Sequence, residues 1–269
     1  MKKGWKYVLL VTGVLVFGYP FAWMIAGSLK PEIDIPTLSL WTAGMSLESY
    51  ERVVSSIPIF RALLNSLIVS VSVTFSVIIF GSMVGFALAK LRFAGKEILF
   101  LVILFTMMIP FQLTLIPQYI LMVWLGLTDT YLGIIAPTLM TPFSIILFRQ
   151  FFLSIPDSLI DAARVDGCSD FRILFKIVWP LSKPVIITVG IVTFMTIWND
   201  VLWPLIVIRE RSLMTMPQLV TLFVTGGEAE GRLGSMLAAS TMLALPVIVA
   251  YMFFQRYFID SMATSGLKG

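Results

Sequence analysis

The sequence predicts an all-α polytopic membrane protein: six transmembrane helices, with a cytoplasmic helix–Gly–helix elbow between the fourth and the fifth. Three observations predict this. Of 269 residues, 58% are hydrophobic and 13% charged, and the mean hydropathy is +0.96, which no soluble domain of this size carries. Uncharged runs long enough to cross a ~30 Å hydrocarbon core recur along the chain. One long polar interruption, Ser154–Pro184, divides two such runs. It carries Arg164, Arg172, Lys176 and Lys183, which assigns it to the cytoplasmic side.

Taken in order, Tyr7–Leu29 is uncharged for 23 residues, enough to cross with some tilt. The preceding MKKGWK leads into a run longer than a signal-peptide core and without a small-residue cleavage site, so an uncleaved first span is expected. Residues 30–61 are polar and extracytoplasmic, with SLESYERVV as a short surface helix. Ala62–Ala89 is the second span. Its Gly81 and Gly85, four apart, permit close helix contact, although such spacing also arises by chance. KLRFAGKE (90–97) is a compact basic turn, placed inside by Lys90, Arg92 and Lys96.

The third span, 98–124, lies in the uncharged run Ile98–Thr128, which Pro110 and Pro117 interrupt. Two readings are open there: a helix-end kink, or an unwound stretch lining a solute path. The fourth span is 130–148, kinked at Pro137 and Pro142, and the elbow occupies 154–180. Pro184–Ile208 is the fifth span, with one charge at Asp200. A loop from Arg209 to Arg232 leads to the sixth span, Leu233–Gln255, and a cytoplasmic tail, Arg256–Gly269. Of the 19 basic residues only Lys30, Arg52, Arg61, Arg209, Arg211 and Arg232 fall outside, so both termini are expected in the cytoplasm. With no internal repeat and no low-complexity linker, residues 1–269 are read as one membrane domain.

Within the elbow, Ser154 and Asp157 resemble a capping box, opening a short helix over Asp157–Asp166 that Gly167 ends from a left-handed position. Ser169 caps a second helix, which presents Phe171, Leu174, Phe175 and Val178 on one stripe until Pro180 stops it. On the first helix Leu159, Ala162 and Ala163 offer a small apolar contact patch beside Asp161. Asp161 is read either as a coupling acid or as a solvated acid paired with Arg164.

The composition excludes several chemistries. The absence of histidine removes imidazole acid–base catalysis and His-ligated metals, and a single cysteine, Cys168, excludes an internal disulfide or multi-Cys metal site. No catalytic or metal-ligating residue is expected. There is no G-x-x-x-x-G-K-[ST], so the chain does not cradle ATP itself, and no G-x-S-x-G. Were the chain to move a solute uphill, the energy would have to come from a partner or an ion gradient. The net charge of +4 follows from inside loops, and no nucleic-acid partner is expected.

Asp161-Ala162-Ala163, then Asp166-Gly167, then Ile177 and Pro180-Leu181, resemble the "EAA" motif of bacterial ABC importer permeases, with Asp161 standing where the family has Glu. The wording IPDSLIDAARVDG and WNDVLWPLIV resembles the carbohydrate-uptake group, in particular the second permease subunit of maltose-type transporters. The resemblance covers nearly the whole chain. It implies a bacterial or archaeal inner-membrane assembly with a second homologous permease, two copies of a cytoplasmic ABC ATPase that bind ATP and Mg, an extracytoplasmic solute-binding protein and a sugar substrate. It implies ATPase coupling through Asp161, Ala162, Ala163, Asp166, Gly167, Phe171, Ile177 and Pro180. It also implies a binding-protein contact in the 209–232 loop, around Gly226, Gly227 and Glu228, and an ATPase contact by the tail at Gly266, Lys268 and Gly269. Read without the resemblance, that loop is a mobile connector.

Trp198, Asn199, Asp200 and Trp203 are candidates for the solute path, since aromatic faces with amide and carboxylate acceptors suit sugar hydroxyls. The alternative is an interfacial aromatic belt, with the acid near headgroups or bonded to kinked backbone. An amino-acid or peptide importer is the second reading within the family. An ion-coupled carrier or a membrane scaffold are the readings outside it.

Overall fold

An apolar chain in lipid must close its backbone hydrogen bonds within each segment or around a closed sheet. Among the described residues every regular element is a helix. The computed structural model describes residues 2–227, 229 and 231–266, with side chains for 5–227, 229, 231–249 and 252.

The helices are α1 (Lys2–Leu29), α2 (Glu48–Ser56), α3 (Ile59–Lys90), α4 (Lys96–Met108), α5 (Phe111–Trp124), α6 (Tyr131–Ile135) and α7 (Pro142–Leu153). After them come α8 (Asp157–Val165), α9 (Asp170–Leu181), α10 (Lys183–Trp198), α11 (Leu202–Val207), α12 (Met216–Thr225) and α13 (Leu233–Gly266). They fall into two compact units. One contains residues 1–63 and 215–250; the other contains 64–214 and the last helix beyond residue 250.

Among the described residues, by length and composition, two helices suffice to cross a membrane singly, Trp5–Leu29 and Ile59–Lys90. Three further pairs qualify only when a bend is allowed within the pair: α4 with α5 (102°), Tyr131–Thr138 with α7 (43°), and α9 with α10 (87°). The stretch Leu233–Val249 of α13 is apolar but shorter.

Proline explains two of these bends. The residue before proline is driven out of the α region, and Ile109 and Thr141 are both extended, at ψ 116° and 140°. Pro110 and Pro142 then start new helices, and the Thr141 hydroxyl accepts the Ser144 N–H (3.3 Å) as an N-cap. Pro137 falls in a 3₁₀ turn, Ala136–Thr138. Pro117 does not break the chain: it lies inside α5, which continues through it. The α4–α5 break is thus a turn of slightly more than a right angle at Pro110 rather than a shallow kink in one rod. The fifth apolar run is also split, contrary to the continuous Pro184–Ile208 span expected. It breaks after Trp198, and α11 starts at Leu202.

The stretch 209–232, expected as a loop, contains α12, whose Met216, Leu219, Val220 and Phe223 are buried. Its signal was present in the sequence: Thr215 at the N-cap position and Pro217 in the first turn, before an apolar run. In the same unit Glu32 caps α13 from 201 residues away, its carboxylate accepting the N–H groups of Leu233 (3.1 Å) and Gly234 (3.0 Å). Lys30 is buried and donates to the Thr37 carbonyl and hydroxyl (3.3 Å each) and to the Ser39 carbonyl. No residue of the most apolar 18-residue part of Trp5–Leu29 is buried, whereas Ala26 and Ser28 near its end are.

The second unit is organised on α3. Val69, Val73 and Val77 face a core shared with Phe148, Phe152, Ile173, Val178 and Val189. Gly81 and Gly85 form the close contact that their spacing permits. A Cβ on Gly85 would lie 2.6 Å from the Phe148 Cβ and 3.0 Å from the Arg149 nitrogen. Backbone cannot give way there, so Gly85→Ala should destabilise the protein by about 1–3 kcal/mol. Gly18→Ala, where a Cβ meets nothing within 4 Å, should be neutral. Thermal unfolding of the two variants in one detergent checks this: a lower midpoint is expected for Gly85→Ala alone.

Candidate functional site

The polar interruption folds as a helix, a glycine turn and a second helix. Ser154 does not cap the first helix, contrary to the capping-box reading: its hydroxyl turns back to the Phe151 carbonyl (2.7 Å) and closes α7. Pro156 holds the N-cap position of α8, and Asp157 is engaged elsewhere. The helix ends as expected. Gly167 has φ +77°, its N–H donates to the Arg164 carbonyl (3.0 Å), and the Cys168 N–H reaches the Ala163 carbonyl (3.0 Å). This pair of bonds is a Schellman motif, with Gly167 at the left-handed position. Ser169 then caps α9 by accepting the Arg172 N–H.

The expected stripe of α9 holds at Leu174 and Val178 and partly at Phe175, and departs from expectation at Phe171. Ile173, Leu174 and Val178 are buried, while Phe171 is 63% exposed. A π turn at Leu174–Val178 is the reason: its i→i+5 period puts Ile173 and Val178 on one face and dislocates a stripe counted at α-helical spacing. Pro180 sits inside the last turn rather than ending the helix, which stops at Ser182, whose hydroxyl donates to the Val178 carbonyl (2.7 Å).

On α8, Ile160 and Ala163 face the core, so Ala163 is not part of an exposed patch as expected; three residues apart, they share the inward face. Asp161, Ala162, Asp166 and Gly167 are exposed, as are Leu159 and Val165; Ile177 packs partly into the core and Pro180 is exposed. Arg164 stands 3.6 Å from Asp161 and 3.2 Å from Asp170, bridging the two arms of the turn.

The elbow is held by a residue that sequence reasoning had placed only in a basic turn. The Lys90 side chain, at the end of α3, is 4% exposed and donates to the Ile155 carbonyl (2.6 Å) and to Asp157 Oδ1 (2.6 Å). At the other arm the Trp179 indole N–H donates to the Ser82 hydroxyl (3.1 Å), also on α3. Neither partnership has a local signal, since 65 and 97 residues separate the pairs.

The proposed solute-path residues divide. The Trp198 and Trp203 side chains are each about 1% exposed, and Trp203 donates to the Gly133 carbonyl (3.0 Å), so neither ring presents an open face. Asn199 is exposed and donates to the Met195 carbonyl (2.7 Å). Asp200 accepts the N–H groups of Leu202 (3.1 Å) and Trp203 (3.4 Å), the bonding to broken backbone that was one of its two readings. Nearby, Asp129 at φ +53° accepts the N–H groups of Arg209 (2.5 Å) and Glu210 (2.8 Å), which hold its carboxyl below the usual carboxylate range. Asn65 donates to the Ser212 and Met214 carbonyls (3.0 and 2.9 Å) and accepts from the Tyr131 hydroxyl (2.7 Å). Gly226 and Gly227 follow α12, with Gly227 at φ +84°. The backbone of Gly266 ends α13, whereas Glu228, Lys268 and Gly269 lie outside the described residues.

The Lys90 ammonium also depresses the Asp157 carboxyl below its ordinary 3.8, through the hydrogen bond first and charge attraction second. A depressed carboxyl stabilises the fold fully above its unfolded pKa, and that contribution is lost as pH falls through the lowered folded value. Between about pH 5 and 8 the contact should therefore be insensitive to pH. Carboxyl ¹³C titration should place the Asp157 midpoint below 3.8, and Lys90→Met should raise it towards that value.

A protein-family model described as the binding-protein-dependent transport system inner membrane component matches residues 77–264. The chain is 35% identical over 261 residues to the arabinooligosaccharides transport system permease protein AraQ of Bacillus subtilis (strain 168), covering 95% of this chain and 92% of that protein. It is 30% identical over 268 residues to the sn-glycerol-3-phosphate transport system permease protein UgpE of Escherichia coli O1:K1 / APEC, covering 97% and 95%. Among solved structures, a chain of a bacterial ABC transporter involved in the import of the acidic polysaccharide alginate matches with a TM-score of 0.81 at 27% identity, over 94% of this chain and 95% of that one. The family match takes in the C-terminal part of α3 and both arms of the elbow, α8 and α9, and the chain belongs to the family of inner membrane components of binding-protein-dependent transport systems.

Proposed function

We propose that this chain is a permease subunit of a sugar or oligosaccharide ABC importer and forms half of its translocation pathway. The observation that carries this is the elbow: a closed Schellman turn at Gly167 that leaves Asp161, Ala162, Val165 and Phe171 exposed on a folded surface. An exposed acid beside apolar side chains is the surface a soluble partner would use. Two similar proteins are named for arabinooligosaccharides and for alginate, which supports a carbohydrate as cargo.

In this reading six spans cross the bilayer, both termini are cytoplasmic, and residues 1–269 act as one domain. A second permease completes the pathway, and an extracytoplasmic solute-binding protein delivers the sugar. Two cytoplasmic ATPases bind ATP and Mg and dock on the elbows, so this chain carries no catalytic group of its own. Closure of the ATPases draws the elbows together and turns the cavity outward, and hydrolysis resets it. Asn199 and Asp200 supply polar groups to sugar hydroxyls, with Trp198 and Trp203 packed behind them. Gly226, Gly227 and Glu228 meet the binding protein, and Gly266, Lys268 and Gly269 lie against the ATPases.

Topology is tested in a Cys168→Ser background. A cysteine at Ser39 should react from outside intact cells with an impermeant thiol reagent, and one at Ala94 should not. Labelling at position 94 from outside would overturn the proposed topology.

The coupling role is tested at Gly167 and Asp161. A Cβ on Gly167 meets nothing within 4 Å, so the strain of Gly167→Val is conformational, about 1–2 kcal/mol, and local. The chain should insert and fold while the angle between α8 and α9 changes. Gly167→Val and Asp161→Ala should lose co-purifying ATPase and ATP-dependent uptake, and Asp161→Glu should retain both. Full ATPase retention with normal uptake in both disruptive variants would mean that the elbow is not the coupling site.

A further inference from the structure

An elbow that receives force is useful only if it is fastened to something that does not bend. Of the apolar segments in the unit around the elbow, α4–α5, α6–α7 and α10–α11 are each interrupted, whereas α3 runs unbroken for 32 residues without proline. The elbow is fastened to α3 at both arms: at its entry by Lys90 on the Ile155 carbonyl and Asp157, and at its exit by Trp179 on the Ser82 hydroxyl.

The two fastenings are unequal. Ser82–Trp179 is a neutral hydrogen bond. Lys90 is a charged side chain only 4% exposed, and its two acceptors flank Pro156, one on each side of the start of α8. A buried charge stripped of its acceptors is costly, so the entry of α8 stays with α3 as long as Lys90 remains buried. The carboxylate partner is 80% exposed, whereas Ile155 is buried and the lysine side chain is 4% exposed.

We infer that Lys90 is a positioning residue that makes α8 and the inner end of α3 move as one body, so that displacement of the elbow becomes displacement of α3. This rests on the reading of the elbow as the ATPase contact. Methionine at position 90 preserves the apolar stem and removes the charge. Arginine keeps the charge and can reach both acceptors.

The test uses the complete importer, purified with its own partner subunits and reconstituted in vesicles, in a Cys168→Ser background. Spin labels at Ser158 on α8 and at Ala94, just past the end of α3, report the distance between the two bodies without nucleotide and with ATP, Mg and vanadate. The distance distribution should be the same in both states for the parent and for Lys90→Arg. Lys90→Met should keep its ATPase but show a distribution that shifts when ATP and vanadate are added. A nucleotide-dependent shift in the parent, or none in Lys90→Met, would overturn the inference. If Lys90→Met does not assemble, Asp157→Lys decides: it sets a second cation against Lys90 at an exposed position, and a distance unchanged by nucleotide would again overturn it. Asp161→Ala is run alongside for ATPase retention. Retention there speaks against the elbow as the ATPase contact, whereas loss there with a static Lys90→Met removes only the role of Lys90.

Discussion

Backbone hydrogen bonding governs this chain more than any single contact does. An apolar sequence closes its N–H and C=O groups along helices, and each interruption frees donors that an apolar surrounding cannot satisfy. Acidic and hydroxyl side chains meet several of these interruptions. Glu32 takes two N–H groups at the start of α13, Asp129 takes those of Arg209 and Glu210, and Asp200 takes those of Leu202 and Trp203. Thr141 and Ser169 do the same at the starts of α7 and α9. Glu32, Asp129 and Asp200 are thereby committed to backbone.

That commitment bears on function. An acid within an apolar run invites assignment to a solute or ion path, yet the Asp200 carboxylate already holds the first turn of α11. An interaction with solute there would involve a group positioned by the backbone it caps, beside the exposed Asn199. The two tryptophans contribute shape rather than open faces, because both are buried and Trp203 is tied to Gly133.

The elbow combines local and distant determinants. Its turn is closed by neighbouring atoms alone, through the Gly167 and Cys168 N–H groups. Its attachment is made by α3, which offers a serine, two glycines and a lysine along its C-terminal half: Ser82 to Trp179, Gly81 and Gly85 to α7, and Lys90 to the start of α8. Small residues bring α7 close, and the lysine at the end then reaches the chain that leaves it.

The sequence by itself determined what depends on neighbours within a few residues. Helical character, the Gly167 turn, the Ser169 cap and the breaks at Pro110 and Pro142 follow from propensity, capping and the steric rule for residues preceding proline. Pattern alone misjudged Ser154, Pro117 and the Phe171 stripe, because competing hydrogen bonds and a π turn intervene where local periodicity is ambiguous. The burial of α12, although Thr215 and Pro217 announced a helix, required the rest of its unit. Only the tertiary structure could bring Lys90 to Asp157, Trp179 to Ser82 and Glu32 to Leu233. These pairs lie 67, 97 and 201 residues apart, and their geometry depends on how whole helices pack rather than on any spacing along the chain.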